Sequence, residues 1–246
     1  MREAMLRSAV ALVAALAMPA MPGPAAAEAL GGACVQQASE QLVCGTGPAA
    51  LRIIEGTTSP SGKLAIGWRA PGVEPGDAPD PEGVEHHLVR LSDGKPLALT
   101  VGRYWAGEEG RATRVTVHAA WSRDSRWLVL GDSGRWAVEA LAVYSIGADD
   151  SSVRSAGLFK LLTGAGGRAL VRVVGPARAT EFAMDIDSRR KIEVGTTGML
   201  SIPVDFYIPK QESEFSFVAQ FRTGEAGGRL IARLASFVRV KVPPAN

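Results

Sequence analysis

The chain is poor in the residues that most often build metal or redox centres. Its 246 residues include only two cysteines and three histidines. A zinc site takes about four nitrogen, sulfur or carboxylate ligands, and a redox pair favours Cys-x-x-Cys spacing. Cys34 and Cys44 lack that spacing. We therefore predict no catalytic, cofactor or metal-binding residue.

Long apolar runs are scarce after the first residues. Residues 1–7 carry two arginines, residues 9–17 are apolar, and residues 25–27 are alanines. This order is typical of an export signal with a small-residue cleavage site. The apolar run is shorter than the roughly 20 residues that a membrane helix needs. We predict a signal peptide over residues 1–27, no transmembrane segment, and a periplasmic or extracellular protein.

Neither sign of charge dominates. The chain has 27 Lys and Arg against 25 Asp and Glu, a formal net charge of +2. A dedicated nucleic-acid or anionic-membrane surface would need a basic excess. We expect no nucleic-acid partner.

The two cysteines suggest a disulfide. An even count in an exported chain favours pairing, so we predict a bond between Cys34 and Cys44. An alternative remains open, because residues 30–34, LGGAC, resemble a bacterial lipoprotein signal. That resemblance implies a lipid anchor at Cys34 and an unpaired Cys44, although the leucine lies one place too far from the cysteine.

Helical periodicity is confined to residues 153–162, where Thr163 and Gly164 are expected to end a short helix. We interpret the glycine-rich residues 163–168 as a flexible connection. Alternation of apolar and polar residues elsewhere in the C-terminal half predicts antiparallel strands over residues 182–187, 200–208, 214–221 and 229–242. Residues 222–228 are expected to form a turn-rich connection. Pro203 lacks a backbone donor, so its strand is expected at an edge or with a bulge.

The pattern of the N-terminal half also predicts strands, at 51–55, 63–69, 87–91, 97–104, 114–120, 126–131 and 136–146. A polar surface loop over residues 71–83 is expected between the second and third of these strands. The composition changes near residues 147–152. We predict an all-β, mainly antiparallel fold with a blade-like β-meander region over 28–150 and an antiparallel module over 151–246.

One short pattern occurs twice. Residues 59–66, SPSGKLAI, align with residues 122–129, SRDSRWLV, as a four-residue turn followed by an apolar strand. Over residues 57–150 this resembles the blade repeat of TolB-like and WD40-like β-propellers. Two copies are fewer than a closed ring needs, so the resemblance implies a pair of blade-like β-meanders packed on the C-terminal antiparallel module, with a degenerate closed propeller as the alternative. A common hairpin turn explains the pattern equally well.

Two catalytic interpretations were weighed. Residues 131–134, GDSG, look like the nucleophile motif of chymotrypsin-like proteases, with His118 as the histidine. Only 15 positions separate His118 from Ser133, which leaves no room for the two barrels of that family.

The second catalytic interpretation concerns a group of carboxylates. Asp185 and Asp187 lie at i, i+2, and Asp205 lies on a possible neighbouring strand. Three cations are available to neutralise these carboxylates, namely Arg189, Arg190 and Lys191.

Four residues are predicted as a possible ligand surface. Trp68 and Trp105 adjoin polar loops, and His86 and His87 point to opposite faces of a strand, at expected solvent or rim positions. The leading hypothesis is an exported non-enzymatic protein that binds a protein or small ligand. The alternative is a secreted hydrolase of envelope or sugar polymers, with acids from Asp185, Asp187 and Asp205. A third possibility is an envelope-associated partner recruited through the Pro203 strand.

Overall fold

The computed structural model describes residues 32–37, 41–73, 78–106 and 112–241. These residues form three antiparallel sheets and one α-helix, which confirms the predicted all-β fold with a single short helix. The predicted signal peptide and residues 30 and 31 of the lipoprotein-like motif lie outside the described residues.

The first sheet is a six-stranded meander in chain order. Its two central strands are buried on both faces: residues 64–68, LAIGW, are apolar throughout, whereas residues 85–90 bury two histidines. Its strands are β1 (Cys34–Gln36), β2 (Leu42–Cys44), β3 (Leu51–Ile53), β4 (Leu64–Arg69), β5 (Glu85–Arg90) and β6 (Lys95–Thr100).

A disulfide joins the first two strands of this sheet. Cys34 and Cys44 are direct cross-strand partners with Cα atoms 3.9 Å apart, so the predicted bond is present. Cys44 also belongs to a small core on the outer face of the sheet, together with Leu51, Ala65 and Val89. Gly32 N donates to Asp93 O at 3.1 Å, which ties the start of the hairpin to the turn after β5. The disulfide hairpin therefore helps to cover the outer face of the first sheet.

The second sheet has four strands in the order β10-β9-β8-β7. They are β7 (Thr116–Trp121), β8 (Trp127–Ser133), β9 (Val138–Ile146) and β10 (Val153–Gly157). Because β10 pairs with β9, the second sheet continues to Gly157. The division into two regions near residues 147–152 stays a prediction.

The repeated turns of the two sheets have matching hydrogen bonds. Ser59 Oγ accepts from Leu64 N at 3.2 Å, and Ser122 Oγ accepts from Trp127 N at 2.9 Å. The turns also contact each other, because Ser61 N donates to Ser125 Oγ at 3.0 Å. The third residue after each leading serine has a positive φ, +70° at Gly62 and +61° at Ser125. The predicted turn-and-strand unit thus occurs twice, while its relation to propellers stays a prediction.

The second sheet lies between the other two. Leu128 and Leu130 of β8 pack in a core shared with the first sheet, whereas Val129 between them packs in a core shared with the helix and the third sheet. This alternation follows from the two-residue period of a strand. The layers consequently stack face to face.

The third sheet has the order β11-β13-β14-β15, with β12 also paired to β13. Its strands are β11 (Ala183–Ile186), β12 (Glu193–Val194), β13 (Met199–Ile208), β14 (Ser213–Ala226) and β15 (Arg229–Arg239). The strand β13 is internal, so the prediction of an edge or bulge at Pro203 is wrong. Pro203 lacks an N–H donor, and it is tolerated because it lies one residue past the last pair between β11 and β13, Ile186 with Val204. Its carbonyl oxygen still accepts from Asp187 N at 3.1 Å.

The connection predicted over residues 222–228 is also shorter than expected. Strand β14 continues to Ala226, and only Gly227 and Gly228 form the turn, with φ of +57° and +73°. Two positive φ angles suit the tight hairpin turn that matches strand twist. The glycines fix the turn, and the polar residues before them belong to the ladder.

The helix, α1 (Phe159–Val174), lies further along the chain than predicted. Residues 153–157 form β10, and the helix continues through the glycine-rich residues 163–168. Gly166 is buried against Phe206, where an added Cβ would lie 2.1 Å from the ring. That glycine permits close approach of helix and sheet instead of ending the helix. In the described part of the chain, no helix has both the length and the apolarity needed to cross a bilayer.

Candidate functional site

The predicted ligand surface is buried, so the expected exposure of its residues is wrong. Trp68 is 3% exposed and Trp105 is 9% exposed. Trp68 and His86 are cross-strand partners that face the second sheet, and His86 Nε2 donates to Tyr104 O at 2.8 Å. Sequence patterns did not reveal the covering sheet, which removes these side chains from solvent.

His87 lies on the other face of β5 and is also buried. Its Nε2 is 3.1 Å from Glu85 Oε2, which also accepts from Arg69 Nη2 at 2.6 Å. Burial lowers the pKa of both His86 and His87, so both rings are neutral at pH 7. These contacts give His87 a structural role beside an ion pair.

The acidic residues of the third sheet do come together. Asp185 on β11 and Asp205 on β13 are direct cross-strand partners, and both point away from the apolar core. Asp187 follows β11 and is buried. Of the two carboxylates at i, i+2, Asp185 is therefore exposed and Asp187 is enclosed.

Arg189 neutralises much of this acidic cluster, as the sequence predicted. Its Nε lies 2.7 Å from Asp187 Oδ1, and its Nη2 lies 2.7 Å from Asp205 Oδ2 and 2.9 Å from Glu214 Oε1. Arg190 adds a longer contact of 3.6 Å to Asp187. Burial raises the pKa of Asp205, with the nearby Asp187 charge adding to the effect and Arg189 opposing it. Arg189 thus links its own segment to β13 and β14.

A cleft of about 390 Å³ opens over these residues. One wall comes from the connection between β8 and β9, which carries Arg135 and Trp136. The floor is the outward face of the third sheet. We call this the Asp185 cleft, and its lining residues are Arg135, Trp136, Ala183, Asp185, Ile186, Ser188, Arg189, Asp205, Tyr207 and Glu214.

Trp136 is the most exposed large apolar side chain among the described residues, at 75%. The Arg135 guanidinium carbon lies 4.6 Å from its ring centroid. Tyr207, at 42% exposure, lies on the floor of the same cleft. Trp136 was not selected from the sequence as a ligand-surface residue. The signal that could have found it is its position in a loop between strands, directly after residues 133–135.

Asp185 is held by a chain of hydrogen bonds from the second sheet. Ser133 Oγ lies 2.7 Å from Asp185 Oδ1 and 2.8 Å from His118 Nε2. Burial lowers the pKa of His118, so its ring is neutral at pH 7. An ionised carboxylate only accepts hydrogen bonds, so Ser133 donates to Asp185 and its oxygen accepts from His118 Nε2–H.

This direction of donation is opposite to that of a serine nucleophile, whose hydroxyl must donate to the histidine. The carboxylate also contacts the serine and not the histidine. The GDSG resemblance therefore has a structural explanation. Ser133 joins the second sheet to the third, while the adjacent Asp132 faces the first sheet and accepts from Arg103 N at 3.0 Å.

The chain was compared with models of known protein families and with curated protein sequences. No family model and no curated protein matches it.

Proposed function

We propose that the protein is an exported, non-enzymatic binding module that holds a small polar ligand in the Asp185 cleft. The observation that carries this proposal is the combination of an exposed Trp136 and an anchored Asp185 in one concave site. Its volume of about 390 Å³ falls in the range of roughly 300–1,000 Å³ that is usual for small-ligand sites.

Export is supported by two features. The sequence of residues 1–27 has the order of a signal peptide, and Cys34 is bonded to Cys44. We further propose that the paired turns belong to a blade-like repeat of the TolB-like and WD40-like kind. In such an arrangement stacked sheets provide a rigid support, and loops such as the one carrying Trp136 provide the ligand surface.

Thermal unfolding with a library of small polar metabolites tests the binding proposal. A ligand at about 100 times its Kd stabilises by about 2.7 kcal/mol, which raises the Tm of a chain of this size by about 5–11 °C. We expect Asp185→Asn and Trp136→Ala to lose that shift. Glu55→Gln, which changes an exposed carboxylate in the turn after β3, is the matched control and should keep the shift. A shift that survives both cleft substitutions would refute the proposal.

A second candidate, a hydrolase of sugar polymers, is favoured by one observation. Asp185 and Asp205 are neighbours at the cleft floor, and glycosidases use two carboxyl groups about 5–10 Å apart. The contact between Arg189 and Asp205 weighs against it, because a general acid must exchange its proton freely.

Release of reducing ends from soluble polysaccharides separates the two functions. The binding module should release none. Turnover that disappears in both Asp185→Asn and Asp205→Asn, and persists in Glu55→Gln, would replace the binding proposal with the hydrolase.

A further inference from the structure

We infer that the ligand of the Asp185 cleft is a neutral carbohydrate. This inference rests on the proposed binding function and adds the chemical class of the ligand. It follows from the polar groups, the aromatic surface and the charge of the cleft.

The polar groups of the cleft include both donors and acceptors. Asp185 accepts from Ser133 and from Ile186 N, and among the described residues no cation lies within ion-pair distance of it. Glu214 is bonded to Arg189 through Oε1, and half of its side chain is exposed. Tyr207 and Ser188 contribute hydroxyl groups to the lining. Sugar hydroxyls both donate and accept, so they match this mixture.

The aromatic surface suits a ring with an apolar face. Trp136 projects from a loop and is exposed on a scale that is rare for so large an apolar side chain. Arg135 stacks near the indole without covering it from solvent. The C–H groups on one face of a sugar ring supply apolar area for such a surface, while its hydroxyl groups reach the carboxylates below.

The charge of the cleft disfavours an anionic ligand. Three carboxylates, Asp185, Asp205 and Glu214, face two guanidinium groups, Arg135 and Arg189, which leaves a net charge of −1. Arg189 is already bound to two of the three carboxylates. A phosphorylated or polyanionic ligand would meet the unpaired Asp185 charge at close range.

Calorimetric titration with defined probes tests the inference. The neutral probes are cellohexaose, chitohexaose, xylohexaose and maltohexaose, and the charged probes are spermidine and glucose 6-phosphate. We expect at least one neutral oligosaccharide to bind the full chain. Trp136→Ala and Asp185→Asn should each weaken it about tenfold or more, since a central aromatic contact commonly has this effect.

Two control variants and three outcomes make the test decisive. Leu99→Ala removes an exposed apolar side chain of the first sheet, and Glu55→Gln removes an exposed carboxylate; both should bind as the unchanged protein does. If spermidine binds with dependence on Asp185 and no sugar does, the carbohydrate inference is overturned while the cleft remains the site. If a sugar binds equally well to all variants, both proposals fail. If no probe binds the unchanged protein more tightly than it binds the two cleft variants, the carbohydrate inference is rejected.

Discussion

Replacing Ser133 by alanine removes the central link between the second and third sheets. Ser133 is 4% exposed, and its hydroxyl makes two short hydrogen bonds, of 2.7 Å to Asp185 and 2.8 Å to His118. The substitution adds no atoms, so its cost comes from the two groups that lose a partner. Asp185 keeps the bond from Ile186 N, whereas His118 Nε2–H loses the one partner observed for it among the described residues.

The expected cost follows from the partial burial of this link, because His118 is half-buried and Asp185 is exposed. A buried polar group without a partner costs about 1–3 kcal/mol, and partial access to water favours the lower end, about 1 kcal/mol. For a chain of this size about 1 kcal/mol lowers the Tm by about 2–4 °C. Ser151→Ala is the matched control, because Ser151 Oγ donates to Asp149 at 2.6 Å on the exposed surface. We expect that control to change stability by less than about 0.5 kcal/mol.

Urea unfolding of the two variants and the unchanged protein measures the difference. The slope of the unfolding free energy against urea should stay constant, which would show that the same surface is exposed. Equal costs for Ser133→Ala and Ser151→Ala would mean that the link contributes nothing beyond a surface hydrogen bond. The account of an anchored Asp185 would then be wrong.

Three further predictions concern the framework. Gly164→Ala, on the exposed side of the helix, should stabilise the protein by about 0.5–1 kcal/mol in thermal unfolding. Gly166→Ala should destabilise it by about 1–3 kcal/mol in the same assay, because the added Cβ would lie 2.1 Å from the buried Phe206 ring. Reducing the Cys34–Cys44 bond should lower stability by about 2–3 kcal/mol on the chain-entropy model, and an unchanged Tm with dithiothreitol would contradict this. Burial lowers the pKa of all three histidines below 6.5 in the folded chain, so the unfolded chain binds more protons near that pH. The unfolding free energy measured in urea should therefore be constant just above pH 7 and should fall as the pH is lowered from 6.5 to 5. An unfolding free energy that increases as the pH is lowered over that window would refute the assignment.

The four longer strands of the third sheet were predictable because each has one face toward the core and one toward solvent. Leu200, Ile202, Val204 and Phe206 alternate with more polar residues, and this period is independent of distant contacts. The repeated turn was predictable for a similar reason, since the hydrogen bonds of Ser59 and Ser122 stay within five residues.

The helix bounds depended on a distant contact and were therefore missed. Gly166 resembles a helix breaker in sequence, but its role is set by Phe206 on β13, 40 positions later. Pro203 was misplaced for the same kind of reason, because its internal position depends on the pairing of β13 with β11, which lies before residues 187–198 in the chain. Short strands such as β1 and β12 have too few residues to show a period.

The candidate site was predictable only in part. The carboxylates at 185 and 205 were recognised, but their cleft needs Trp136 from one sheet and Glu214 from another strand. Conversely, Trp68 and Trp105 lie beside polar loops in sequence, and a neighbouring sheet buries them. Exposure depends on which surfaces meet, and local patterns contain little information about that.

The indole N–H resonances of the five tryptophans give the most direct test of the cleft as the ligand site. They are followed in a ¹⁵N spectrum while the neutral oligosaccharides named above are added. The account predicts that the resonance of Trp136 shifts in a saturable manner, while those of the buried Trp68 and Trp105 stay in place. Saturable shifts at Trp68 or Trp105 with Trp136 unmoved would contradict it.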